Sequence, residues 1–233
     1  MELYQKEKGY RYNSDTLFLY DFIASFSPKK SSLLDVGCGC GILGLLLKRD
    51  FECLEVSLLD IQEDNCSISC KNALHNHLNI HEVIHDDFLT YSFAKKYDYI
   101  VSNPPFYHQN TLKSTDEHLC TSRHSSYLPL EALIKKTSQI LSNRGYVLLC
   151  YDAKQSDTLI HLLHQEKLKV ENIRFVYTKL GAEASLILVR ARKNSKTACK
   201  IEPPLIVMKE NTFTQEAQAI FTKSQTKSVS WQG

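Results

Sequence analysis

Apolar and polar positions along this chain follow two periods, and the places where the period changes predict its elements. Leu17, Phe18, Tyr20, Phe22, Ile23 and Phe26 recur at helical spacing and predict a helix over 15–26, with Ser14 as its cap. Short apolar runs predict strands over 33–36, 54–59, 82–85, 97–102, 146–151, 172–177 and 184–192. Between them the spacing predicts helices over 41–49, 62–76, 130–141 and 154–165. The 41–49 helix is apolar nearly all round, with Ile42, Leu43, Leu45, Leu46 and Leu47, as expected of a helix pressed against a sheet. Strand and helix alternate, which implies an α/β, doubly wound, mainly parallel sheet with right-handed crossovers. The last two strands, joined by a turn at 179–183, read as an antiparallel closing pair, giving seven strands in all.

Residues 107–127 show no period and are rich in His, Ser and Thr; a loop of that length in a compact domain is usually functional or mobile. After the last strand come Pro203-Pro204, a short apolar run at 205–208 and an amphipathic segment at 214–221. No repeat or low-complexity block is visible, so one domain is expected over 1–233. It has a lead-in and helix over 1–30 and a basic extension over 193–233.

Charge adds one feature to this outline. The whole chain carries only +2, but residues 190–233 carry a net +5 and the remainder −3. A basic end on a near-neutral body fits a nucleic-acid contact surface and fits a solvated tail equally. No stretch approaches ~20 unbroken apolar residues, so no membrane span is expected. The first residues lack the basic patch and apolar core of a signal peptide, which leaves the cytoplasm as the expected compartment. The eight cysteines are not spaced as a metal site, since no second ligand pair follows Cys66 and Cys70. His75, His77, His81 and His85 are scattered through one helix–loop–strand region. Reduced structural thiols, solvated histidines and no bound metal are the expectation.

The candidate chemistry begins where the first strand ends, in LLDVGCGCGILG at 33–44. Gly37, Gly39 and Gly41 are spaced by two. Glycines at such a turn let a ligand lie against the backbone, and the following helix aims its free N–H groups and dipole at that ligand. Asp60 lies at the end of the second strand, where a carboxylate can take both hydroxyls of a ribose. Gly39, Gly41 and Gly44 alone satisfy the dinucleotide fingerprint. Asp35 and the extra Gly37 point instead to S-adenosylmethionine (SAM), and a purely structural turn is a third reading.

The second motif is Asn103-Pro104-Pro105-Phe106, at the exit of the fourth strand. Ligands in open α/β sheets collect at the carboxyl ends of strands, so this tetrapeptide and the glycine turn should face one cleft. These residue types suit methylation of a planar, conjugated nitrogen, whose lone pair is delocalised and poorly nucleophilic. The Asn103 amide oxygen and the Pro104 carbonyl can accept its two N–H bonds and aim the lone pair at a methyl donor. Prolines present no competing N–H and stiffen the backbone, and Phe106 offers a face for stacking. Alone, Asn-Pro-Pro also reads as a rigid strand exit.

DVGCGCG together with NPPF resembles the class I SAM-dependent amino-methyltransferases that modify adenine N6 or glutamine N5. Tyr12-Asn13-Ser14-Asp15-Thr16, SNPPFYHQN at 102–110, the Arg123 region and LIVMKENTFTQEAQAIF near the end make it similar to the bacterial tRNA(Val) adenine-N6 methyltransferases. The resemblance implies a Rossmann-like class I fold, SAM as cofactor and tRNA as partner, with a monomer assumed. It implies that Gly37, Gly39 and Gly41 cradle the cofactor's methionine and ribose, with Asp35 behind them. Asp60 and Ile61 would meet the ribose side, Asp87 and Phe88 the adenine, and Asp15 and Thr16 the methionine end, with Asp86 competing for Asp87's role. Asn103, Pro104, Pro105 and Phe106 would hold the target base after it swings out of its stack. Tyr107, Lys113 and Arg123 are candidate RNA contacts. A glutamine-N5 methyltransferase is the first alternative, although only about 30 residues precede the first strand, little room for a helical partner-binding bundle. A non-catalytic RNA-binding protein that keeps the fold is the second.

Overall fold

The chain's strands form a ten-stranded mixed sheet and a separate two-stranded one. The computed structural model describes residues 1–6, 13–29, 31–104 and 128–231. Its elements in order are β1 (Glu2–Lys6), α1 (Ser14–Ala24), β2 (Ser32–Val36), α2 (Ile42–Asp50), β3 (Glu55–Asp60) and α3 (Glu63–His75). Then come β4 (Glu82–His85), β5 (Tyr97–Ser102), α4 (Leu130–Ile140), β6 (Leu141–Asp152), α5 (Ser156–Gln165), β7 (Leu168–Lys179) and β8 (Ala184–Lys193). The last part adds β9 (Lys200–Ile201), β10 (Leu205–Lys209), β11 (Thr212–Phe213), α6 (Gln215–Ser224) and β12 (Lys227–Trp231).

The large sheet runs β11-β10-β7-β8-β6-β5-β2-β3-β4, with β9 also paired to β7. β2 to β6 are parallel to their neighbours, while β8 is antiparallel to both β6 and β7. The strand order reverses between β2 and β5, and in an open α/β sheet a crevice forms at the carboxyl ends of the strands at such a switch point. Side chains alternate between two buried layers. Leu33, Leu148 and Cys150 join α1, α2 and α6 on one face; Leu34, Val147 and Leu149 join α4 and α5 on the other. Both faces are therefore covered, which is why the strands read as continuous apolar runs.

The sheet is wider than the seven strands expected. Those seven are present, but β9, β10 and β11 extend the sheet beyond β7. They are two to five residues long, too short to show a period, and they cover an edge that would otherwise be open. The 214–221 segment is the start of α6, capped by Thr214, whose Oγ1 accepts the Ala217 N–H at 3.2 Å. Asn13, not Ser14, caps α1: its Oδ1 accepts the Asp15 N–H at 3.2 Å.

The second sheet joins the two ends of the chain. β1 and β12 pair in parallel, from Glu2 opposite Lys227 to Lys6 opposite Trp231. Asn72 of α3 and Asn76, the residue that caps the end of α3, hold the pair in place. Asn72 accepts the Tyr4 N–H at 2.7 Å and donates to Tyr4 O at 3.0 Å, and Asn76 does the same for Glu2 at 3.1 and 2.7 Å. Asn72 also donates to Cys40 O at 2.9 Å, which ties β1 to the glycine turn.

Helix α2 lies on the sheet at Gly44 with no space to spare. A Cβ there would stand 2.4 Å from Leu58 Cδ2 and 3.2 Å from Val56 Cγ1. Gly44→Ala is therefore expected to destabilise the fold by about 1–3 kcal/mol, despite alanine's better helix propensity. A thermal melt that shows no loss would contradict this packing.

Candidate active site

The glycine turn bends back on β3. The N–H groups of Gly37 and Cys38 both donate to Leu59 O, at 2.9 and 3.0 Å. Gly37 and Gly39 have φ of +69° and +56°, and nothing lies within 4 Å of where their Cβ atoms would stand. An open cradle of bare backbone results. The Gly39 N–H donates to Asp60 Oδ2 at 2.8 Å, while Asp60 Oδ1 accepts from the Gln62 N–H at 2.9 Å and Asn65 Nδ2 at 3.1 Å. The carboxylate is thus fixed beneath the turn. Gly41 is different from its two neighbours. Its missing side chain would meet Ser69 Cβ at 3.0 Å and Leu58 and Leu45 just beyond, so it faces the core and not the cradle.

Asp35 is buried behind the turn and accepts the Gly44 N–H at 2.9 Å. Burial pushes its carboxyl up to about 7, with the Gly44 N–H opposing and Asp60 adding to the rise. The folded chain therefore keeps a proton that an unfolded chain, near 3.8, has released. Stability associated with Asp35 is full below about pH 4 and is lost as pH rises through about 7. Asp35→Asn is expected to flatten this fall. Thermal melts of both proteins between pH 5 and 8 should show the wild type losing more, and parallel curves would rule the protonated carboxyl out.

At the end of β5, the Ser102 hydroxyl donates to Val36 O at 2.7 Å and joins the base of the second motif to that of the first. Asn103 Nδ2 donates to Thr16 Oγ1 at 3.0 Å. Among the described residues Asn103 Oδ1 is buried and has no hydrogen-bond partner. Leaving a buried acceptor unpaired costs about 1–3 kcal/mol, so this oxygen is able to take a donor from a ligand. Thr16, Asp35, Gly37, Gly39 and Asn103 all line one pocket. Pro104 is buried beside them in sequence.

Of the remaining candidates, Asp15, Ile61, Asp86, Asp87 and Phe88 do not line this pocket, and the others lie outside the described residues. Asp15 is half-buried next to Thr16, and burial raises its carboxyl pKa despite hydrogen bonds from Asn13 and Ser14. Ile61 follows Asp60 and is 44% exposed, an unusual position for isoleucine. Asp87 is half-buried and accepts the Leu89 N–H at 2.8 Å, while Asp86 is exposed and accepts the Asp87 N–H at 2.7 Å. The Phe88 ring is in the core, edge-on to Phe93 at 5.8 Å, so only its backbone is left for a ligand. Pro105, Phe106, Tyr107, Lys113 and Arg123 lie outside the described residues.

Sequence reasoning missed Gln5 and Lys6, which line the pocket from β1, and Asn65 and Ile68, which line it from α3. Gln5 is nearly fully buried and its Nε2 donates to Ser228 Oγ of β12 at 2.7 Å. Burial raises the Cys38 thiol and pushes that of Cys40 up to about 12, so both stay protonated at the turn. Among the described residues no three His, Cys, Asp or Glu side chains are grouped to hold a metal. No described helix is long and apolar enough to cross a membrane.

A doubly wound sheet, a bare glycine cradle at the switch point and a carboxylate at the end of the next strand define a class I SAM-dependent methyltransferase. Residues 15–176 match the methyltransferase small domain, and the chain belongs to that family. It is related to bacterial tRNA1(Val) (adenine(37)-N6)-methyltransferases. One, from Flavobacteriaceae bacterium (strain 3519-10), is 24% identical over 226 residues, covering 97% of this chain and 92% of the relative. Another, from Bacteroides fragilis, is 29% identical over 200 residues, covering 83% of each. Among solved structures, a predicted O-methyltransferase from Agrobacterium tumefaciens shares the fold with a TM-score of 0.69 at 16% identity, covering 92% of this chain and 99% of that one.

Proposed function

We propose that this chain transfers a methyl group from SAM to N6 of an adenosine in tRNA, the adenosine beside the anticodon of a valine tRNA. The observation that carries this reading is the buried, unpartnered Asn103 Oδ1 in the same pocket as the glycine cradle. An exocyclic amine brings the donors that this oxygen lacks. A retired binding protein would have no reason to retain a costly unpaired acceptor there. The named activity of the relatives points the same way.

SAM, when bound, supplies an electrophilic methyl group on a sulfonium. The residues of this chain provide position and polarity. Gly37 and Gly39 leave room for the cofactor against the backbone, and Asp60, held beneath the turn by the Gly39 N–H, is the carboxylate that meets the ribose hydroxyls. Ile61 offers an apolar face beside the ribose and adenine, and Asp87 with the Phe88 backbone meets the adenine edge. Asp15 and Thr16 close over the methionine end. Asn103 Oδ1 and the Pro104 carbonyl accept the two N–H bonds of the target amine. That draws its nitrogen towards tetrahedral geometry and frees the lone pair for the methyl. Pro105 and Phe106 complete the base clamp, and Tyr107, Lys113 and Arg123 contact the surrounding RNA. The adenosine leaves its stack to enter, as in other base-modifying enzymes. The whole chain, 1–233, works as one catalytic unit.

The test is transfer from labelled SAM to total RNA of cells lacking this protein, followed by nucleoside analysis. N6-methyladenosine in valine tRNA supports the reading. Label on protein glutamine, or cofactor binding with no label anywhere, overturns it.

A further inference from the structure

The C-terminal extension is basic in sequence, yet most of its charge is neutralised within the molecule. Lys200 pairs with Glu202 at 2.8 Å, Lys223 with Asp21 at 2.9 Å and Lys227 with Glu2 at 3.2 Å. Arg190 and Arg192 flank the buried Glu171 at 3.8 and 3.9 Å, and Ser195 donates to the same carboxylate. Arg190 is further held between the rings of Phe26 and Tyr146, at 4.3 and 4.1 Å.

Free positive charge gathers at the floor of the sheet, the end opposite the glycine turn, where the start of the extension contributes Lys196. Here β7 begins and β8 ends, with Leu168 opposite Lys193 and Lys169 opposite Arg192. The Asn194 N–H donates to Lys167 O at 3.0 Å, and Arg192 Nε donates to Arg144 O at 3.1 Å, which draws the neighbouring loops together. An open groove results, lined by His164, Lys167, Lys169, Asn194, Ser195 and Lys196. Lys167, Lys169, Lys196 and the adjacent Arg144 make no ion pair among the described residues. Lys193, anchored on Ser138 O and Leu141 O, has its ammonium pKa lowered by burial and by the nearby charge of Lys96. Like charges are thus crowded at this end of the sheet; of the nearby carboxylates, Glu171 is taken by Arg190 and Arg192, and Glu166 partly offsets the charge at Lys193.

We infer that this groove docks the phosphate backbone of the same RNA whose adenosine enters the cleft; the inference rests on the tRNA reading above. A row of unpaired cations on a fixed sheet edge binds phosphates by releasing their counterions, and it positions without reading sequence. Its place in the fold sets the reach required. By register Ser102, at the cleft end of β5, is level with Ile173 of β7, four residues above Lys169 and three strands across. At about 3.3 Å per residue and about 4.8 Å per strand, the two sites are roughly 20–25 Å apart. A folded RNA whose adenosine lies in the cleft can therefore lay its backbone phosphates along the groove.

The test compares the wild type with the doubly neutralised K167Q/K196Q protein, both positions being exposed. Fluorescence anisotropy reads the affinity for a valine tRNA transcript between 50 and 200 mM salt, a range over which phosphate contacts are strongly weakened, on the order of 10³-fold or more for several contacts. The expected result is tRNA affinity about tenfold weaker at low salt, and a salt slope smaller by about two, roughly one for each lysine. S-adenosylhomocysteine affinity by calorimetry and kcat on saturating tRNA should be unchanged, with KM for tRNA raised. Equal tRNA affinity and slope in the two proteins would overturn the groove. If the wild type methylates tRNA and the groove fails, only this inference is lost. If the wild type methylates no tRNA, the reading beneath it fails and takes the inference with it.

Discussion

Replacing Asn103 by alanine is expected to lower methyl transfer to tRNA by about 10²–10³-fold, the usual effect of removing one aimed polar group at the reacting centre. S-adenosylhomocysteine affinity should be nearly unchanged, because the partner proposed for Asn103 is the acceptor amine and not the cofactor. The argument rests on two atoms of one side chain. Nδ2 is anchored on Thr16 Oγ1 at 3.0 Å, which fixes the amide plane, and Oδ1 is left buried without a partner. Alanine removes both the acceptor and its anchor. Thr16→Val removes only the anchor, so it should cost less, with the acceptor present but less firmly aimed. Single-turnover transfer with each variant separates the two effects. An Asn103→Ala protein that still transfers within a few-fold of wild type would show that this oxygen does not hold the amine.

Asp60→Ala is expected to have a double effect: cofactor affinity about 10²-fold weaker and a lower melting temperature. The carboxylate is the meeting point of the Gly39 and Gln62 N–H groups and Asn65 Nδ2, at 2.8 to 3.1 Å. Losing it strands these donors in a region where Asp60 itself is only 5% exposed, and each unpaired donor costs about 1–3 kcal/mol. It also removes the charge-assisted bonds proposed to the ribose, at about 1.5–3 kcal/mol each, and 1.4 kcal/mol is a factor of ten in affinity. Calorimetry with S-adenosylhomocysteine and a thermal melt measure the two parts separately. An unchanged affinity on a destabilised fold would confine Asp60 to shaping the turn.

The centre of this fold was legible in the sequence and its margins were not. β4 and β5 have the predicted bounds because their apolar runs end abruptly, at Asp86 and at Asn103. Asn103 and the glycines could be assigned to one cleft because topology alone puts the ends of β2 and β5 side by side. Gly41 illustrates a limit of motif reading: its spacing matches Gly37 and Gly39, but only the backbone path shows that it faces Ser69 and Leu58. The inward side of β1 left no trace, since Gln5 and Lys6 are polar residues whose burial depends on Asn72, Asn76 and a partner strand more than 220 residues away. The basic extension was legible only as a sum. Composition counts charges and does not show that Lys200, Lys223 and Lys227 pair within the fold while Lys196 makes no ion pair among the described residues.

The parallel pairing of β1 with β12 makes the two termini unequal as attachment points. The Met1 amino group donates to Gln225 O at 2.7 Å, at the end of the pair away from the cofactor. Trp231 lies opposite Lys6, which lines the cofactor pocket. An affinity tag or fusion partner placed before Met1 therefore grows away from the site. The same addition beyond Trp231 begins at the end of the pair where Lys6 lines the pocket.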